Sequence, residues 1–204
     1  MQHANVKLSK NELALVTDMQ VILTKNLIIE KVYTLFGLLS SHFQQVLAER
    51  KDTLATEALL VSPKISKGEQ YRQLPYVVLD CPRFYTKQHV LAVRCFFWWG
   101  NFFSITLHLA GKFLKGYEEK LDMWMKAHEH QGWYVGVSVD AWEHHFEADN
   151  YLPIEEGTGQ MRGEPGLEQR FFLKLAKKMP LEQWDSAIVF FEEGFRDLLP
   201  LLEN

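Results

Sequence analysis

The sequence predicts an α+β fold: an antiparallel sheet of about four or five strands, with N- and C-terminal helices packed on one face. Three observations carry that expectation. Apolar residues recur at helical spacing near both ends of the chain, and they alternate at spacing two through its middle. Two of the alternating runs flank Gly100-Asn101, a turn signal that joins neighbouring strands antiparallel.

The first helix opens at Ser9, which forms a capping box with Glu12, each side chain serving the other's free backbone N–H. Leu15, Val16, Met19, Ile22 and Leu23 follow on one face. Asn26 is a natural break before a second stripe through Ile29, Val32, Phe36, Leu39, Phe43 and Leu47. Residues 59–61 read as a short strand, and the polar stretch 64–73 as loop. Residues 76–81 lie between Pro75 and Pro82, which suits an edge strand. Residues 89–99 and 102–109 form the hairpin, and residues 133–139 alternate cleanly. Between them, 112–128 is helical, with Phe113, Tyr117, Leu121, Trp124 and His128 on one stripe. Phe171, Phe172, Leu175 and Met179 mark another helical face. Pro180 then leads into a last helix striped by Trp184, Ile188, Phe191, Phe195, Leu198 and Leu202.

The 204 residues suit one compact domain, 1–204. A formal net charge of −4 argues against nucleic acid as a partner. The apolar stretch 90–110 is interrupted by Arg94, Gly100, Asn101, Ser104 and His108, so no membrane span is expected. The first residues lack a basic and apolar leader pattern, and two cysteines, Cys81 and Cys95, make no disulfide framework. A cytoplasmic location with reduced thiols is the corresponding expectation.

Hairpin register decides what shares a surface. A loop of residues 99–101 puts Leu91, Val93, Cys95, Phe97, Phe103, Ile105, Leu107 and Leu109 on one wholly apolar face. The opposite face then gathers Arg94, Phe96, Trp98, Ser104, Thr106 and His108. Alternation in the flanking strands adds Asp80 and Tyr134. Aromatic surface with a few convergent polar groups is the composition of a small-molecule site. Asp80, Arg94, Trp98, Thr106, His108 and Tyr134 are therefore the ligand-binding candidates. Arg162 joins them from the glycine-rich segment 147–166, expected to act as a flap, because a guanidinium grips carboxylate or phosphate with two bonds. A plainer account makes Asp80 and Arg94 a structural ion pair.

The run Asp140-Ala-Trp-Glu143-His144-His145-Phe-Glu147 holds metal-ligand chemistry without ligand spacing, since adjacent histidines diverge on helix or strand. No metal and no cofactor is expected. There is no G-x-S-x-G elbow, and the glycines from Gly157 to Gly163 lack the Lys-Ser/Thr of a phosphate loop. Small-molecule binding on the semi-polar sheet face, or a non-catalytic role, is the leading expectation. One alternative is an enzyme with His108 paired to Asp80 or Asp140 for acid–base work. Another is a protein-interaction module that forms a homo-oligomer through exposed aromatics.

Overall fold

The computed structural model describes residues 6–114, 118–157 and 171–203. Ser9 and Glu12 close the expected capping box at 3.2 and 2.7 Å and start α1, Lys10–Thr17. The chain breaks at Asp18, whose side chain caps α2, Met19–Glu49, by accepting the Gln20 N–H at 2.9 Å. Asn26 is not a break: it lies inside α2, where an uninterrupted run of i→i+4 bonds outweighs its capping preference. Residues 59–61 are not strand, because α3 spans Glu57–Leu60.

Seven strands follow, β1 (Lys64–Tyr71), β2 (Leu74–Tyr85), β3 (Val90–Trp98), β4 (Phe102–Ala110), β5 (Trp133–Gly136), β6 (Tyr151–Pro153) and β7 (Phe172–Pro180). They form one sheet in the order β1-β2-β3-β4-β7-β5-β6, with every neighbour antiparallel. The class is as expected; the count exceeds four or five for three reasons. β1 was hidden by its polarity, which is how an edge strand avoids pairing with other chains. β6 has only three residues. β7 replaces an expected helix: Phe171, Phe172, Leu175 and Met179 fit a helical stripe, but Leu173 and Leu175 alternate with Lys174 and Ala176 in a central strand.

β2 is an inner strand rather than an edge. It runs through Pro75 and Pro82, and the ladder shifts register between Asp80 and Arg83, where Pro82 has no N–H to offer. β5 stops at Gly136, so residues 137–139 leave the sheet and Val139 is 98% exposed. Gly111–Phe113 is a short 3-10 turn, and α4 covers Glu118–Ala127. After β7 a 3-10 segment, Leu181–Ser186, leads into α5, Ala187–Leu198.

Trp98 pairs with Phe102, the register that sorts the hairpin by polarity. Cys95, Phe97, Phe103, Ile105 and Leu107 are buried against α2 and α5. Phe43 of α2 and Phe195 of α5 stack at 3.8 Å between ring centres, joining the two helices across that layer. Gly194 lets α5 approach β4 closely, since a Cβ there would stand 2.8 Å from Ile105 Cγ2.

Two substitutions test this layer by urea unfolding. Ile105→Ala, at a fully buried site, costs about 2–5 kcal/mol. Gly194→Ala costs about 1–3 kcal/mol, because α5 must lift away from Ile105. An unchanged midpoint in both variants would show that α5 does not seat on β4.

Candidate functional site

The second face of the sheet is built from rows of facing residues. Asp80, Arg94, Thr106, Ala176 and Tyr134 stand opposite one another across β2, β3, β4, β7 and β5. The adjacent row runs through Arg83, Ala92, His108 and Lys174. Residues 137–150 fold across these rows as an irregular segment, neither helix nor strand. Its base is closed by the Val137 N–H donating to the Asn150 carbonyl at 2.8 Å. Loops with joined ends and self-packed side chains are stable without regular structure.

Tyr71, the last residue of β1, holds the segment down. Its hydroxyl accepts the N–H groups of His144 and His145 at 2.7 and 3.0 Å and donates to Glu143 Oε2 at 2.9 Å. One proton and two lone pairs are thereby all used. Burial, supported by the Glu143 charge and opposed by the two N–H bonds, pushes the Tyr71 phenol up to about 12, so it stays neutral. Phe146 anchors the far side between Phe102, Tyr134 and Tyr151, with ring centres 4.6–5.1 Å apart.

Beneath this cover lies a polar cluster. Arg94 donates to both oxygens of Asp80, at 2.8 and 3.0 Å, while its Nη1 meets His144 Nε2 at 3.2 Å. Burial works against the Arg94 charge, but the Asp80 bonds outweigh it and raise its pKa. A guanidinium only donates, so His144 Nε2 is an acceptor and the ring proton sits on Nδ1. Burial and the neighbouring Arg94 charge likewise hold the His144 pKa well below the usual imidazole range. His108 is pushed down to about 4 by burial, then by Lys174 and Arg94.

Lys174 is the member that sequence reasoning missed. It is 2% exposed, and its Nζ donates to the Glu143 carbonyl at 2.5 Å and lies 4.8 Å from the Tyr151 ring centre. Among the described residues no carboxylate comes within 4 Å of it. Gly136 makes room for the stem, because a Cβ there would meet Lys174 Cβ at 3.1 Å. Burial lowers the Lys174 pKa to about 8, with Asp140 and Glu143 opposing the shift and Arg94 adding to it. The alternation of β7 was the signal that could have found it.

Tyr85, Arg94, Thr106, His108, Ala141, His144 and Lys174 enclose a cavity of about 10 Å³. That is space for one water-sized group. Asp80, Arg94, Thr106 and His108 are thus together, as the alternation required. Trp98 is not with them: it packs on Tyr71 and Phe102 at 5.1 and 5.4 Å. Tyr134 lies farther along its row and lines an open cleft of about 310 Å³ with Phe102 and Lys178. A third hollow, about 210 Å³ beside α3 and Pro82, has no charged lining residue. Arg162 falls outside the described residues. Segment 137–150 covers the face; of the expected flap 147–166, Tyr151 pairs in β6 and Ile154 is fully buried in the core, while residues 158–166 lie outside the described residues.

The pairing of His108 with Asp80 or Asp140 is not formed. Arg94 occupies both Asp80 oxygens, while the exposed Asp140 accepts the Trp142 N–H at 2.8 Å. Within segment 137–150 the histidine that meets carboxylates is His145. His145 Nδ1 meets Glu143 at 2.8 Å, and its Nε2 meets Asp149 at 3.1 Å. The two adjacent imidazoles do diverge. Even so, His145, Glu147 and Asp149 bring one ligand atom each within 4.8 Å of one another. Arg72 Nη2 stands 3.0 Å from the same Nε2, placing a guanidinium where a cation would have to bind.

No family model, curated protein or solved structure matches the chain. Among the described residues, no helix is long and apolar enough to cross a membrane.

Two measurements test the cluster. Between pH 6.5 and 4 the unfolded chain binds a proton at residue 108 that the folded chain refuses, so stability falls as the solution is acidified. The His108 share is about 3 kcal/mol, and His108→Leu removes it from the pH profile of urea unfolding. A variant profile that superimposes on the wild type refutes the buried neutral imidazole. Tyr71→Phe deprives two covered N–H groups of their acceptor, at about 1–3 kcal/mol each. Amide exchange at His144 and His145 then speeds up by about tenfold or more, and unchanged exchange rules out the clasp.

Proposed function

We propose that the protein binds a small anionic ligand, a carboxylate or a group of similar size, between the polar sheet face and segment 137–150. The observation that carries this reading is Lys174. A buried ammonium is costly unless paired, and its partners here are a carbonyl and an aromatic face. Among the described residues around the cavity Arg94 and Asp80 pair, His108 and His144 are held neutral, and Lys174 carries a positive charge that no carboxylate contacts directly. An anion entering beside Lys174 restores neutrality in a region of low dielectric, where the attraction exceeds that at the surface.

The cavity admits one water-sized group, so anything larger enters by displacing Ala141 and Trp142. Trp142 suits that role: it is 55% exposed and rests edge-on over His108 at 5.9 Å. A binding role also agrees with His108, whose low pKa and lack of a carboxylate partner leave it a hydrogen-bonding group rather than an acid–base pair.

Thermal unfolding with sodium formate, acetate or phosphate, against sodium chloride at equal ionic strength, tests the reading. A saturable rise in Tm is expected for at least one of the three, by the linkage of binding to folding. Lys174→Met should abolish that rise and be at least as stable as the wild type at pH 7, since an unpaired buried charge has been removed. No rise with any probe, or an equal rise in Lys174→Met, overturns it.

A further inference from the structure

The helical segment before Ile29 touches little of the sheet. α1 buries none of its residues, and α2 packs on the core only from Ile28 onward. Yet this arm is strongly apolar. Met19, Leu23 and Leu27 stand one turn apart with Ile22 beside them, and they are 48–71% exposed. Leu15 and Val16 extend the apolar surface along α1, at 59% and 69%.

We propose that this arm is the pairing surface of a homodimer, the occupant being the same arm of a second copy. Three observations point to that partner. Ten apolar side chains between Val6 and Leu27 are exposed. The six that form the stripe, Leu15, Val16, Met19, Ile22, Leu23 and Leu27, offer about 500–600 Å² at roughly 80–100 Å² each, so two copies bury about 1,000–1,200 Å², the low end of what a specific interface takes. α1 has eight residues, below the ~12–15 at which an isolated helix holds its shape in water, so packing on its apolar side is needed to keep it helical. The charges suit a copy of the arm better than a lipid surface. A helix that lies on membrane is rich in Lys and Arg on its polar side. Here Lys7 and Lys10 are balanced in number by Glu12 and Asp18, Lys25 is bound by Glu69 at 2.5 Å, and the other polar positions carry the uncharged Asn11, Gln20, Thr24 and Asn26. A nearly neutral arm meets its own copy without like-charge repulsion. The surface is aliphatic and helical, so the self-association expected through exposed aromatics takes a different face.

Sedimentation equilibrium of the whole chain, between about 1 and 100 µM, reads the result. The expected species has twice the 23.9 kDa of one chain. Met19→Glu and Ile22→Glu change side chains exposed in the single copy, so each variant keeps the wild-type circular dichroism. Together they weaken pairing by about 100-fold or more. A wild type that stays at 23.9 kDa throughout overturns the proposal, as does a dimer that persists in the double variant. A monomeric wild type that co-sediments with vesicles of anionic phospholipid would assign the arm to lipid instead.

Discussion

A slip of one residue in the β3–β4 hairpin would turn Cys95, Phe97, Ile105 and Leu107 away from the helices and bury Arg94, Thr106 and His108 among them. Trp98 opposite Phe102 prevents it. The arrangement on both sides of the sheet depends on that pairing. On one side α2 and α5 find an unbroken apolar surface, close enough at Gly194 that no side chain fits between. On the other, three strands in phase bring Asp80, Arg94 and Thr106 into a single row. The same phase sets Lys174 beside His108, one row away.

The covered polar face has unequal halves. Asp80 and Arg94 satisfy each other with two bonds, so their burial leaves little charge uncompensated. Lys174 has no such partner among the described residues, and the low pKa values of the two imidazoles follow partly from its charge and that of Arg94. Segment 137–150 both creates this tension and relieves some of it. It excludes water from the cluster, but it also supplies the Glu143 carbonyl to Lys174 and His144 to Arg94. Its own N–H groups are met by Tyr71, from the far edge of the sheet. The cover and the edge strand are therefore coupled: loosening β1 at its last residue removes the acceptor that keeps residues 144 and 145 in place.

Much of this was legible in the chain, and unevenly so. Capping at Ser9, the hairpin register and the co-facial set of Asp80, Arg94, Thr106 and His108 depend on neighbours close in sequence, where side-chain chemistry and the two-residue period suffice. β1 was not legible, because an edge strand is polar for the same reason a loop is. β7 is ambiguous in sequence because Phe171, Phe172, Leu175 and Met179 satisfy the helical period while Leu173 and Leu175 satisfy the strand period, and short apolar runs do not separate the two. The same ambiguity hides the inward position of Lys174, a residue of β7 that is 2% exposed.

The class of fold, the apolar and polar faces of the hairpin and the helical stripes near both ends are local properties of the chain, since they follow from periodicity and burial of apolar area. Only the tertiary structure decided that β7 lies between β4 and β5 and that residues 137–150 close over the polar face. It also decided that Tyr71, 72 or more residues earlier in the chain than its partners Glu143 and His145, is what holds them. These outcomes rest on contacts between distant segments. Such contacts are chosen by which surfaces fit and which buried polar groups find partners, and neither is written in the local pattern of any one segment.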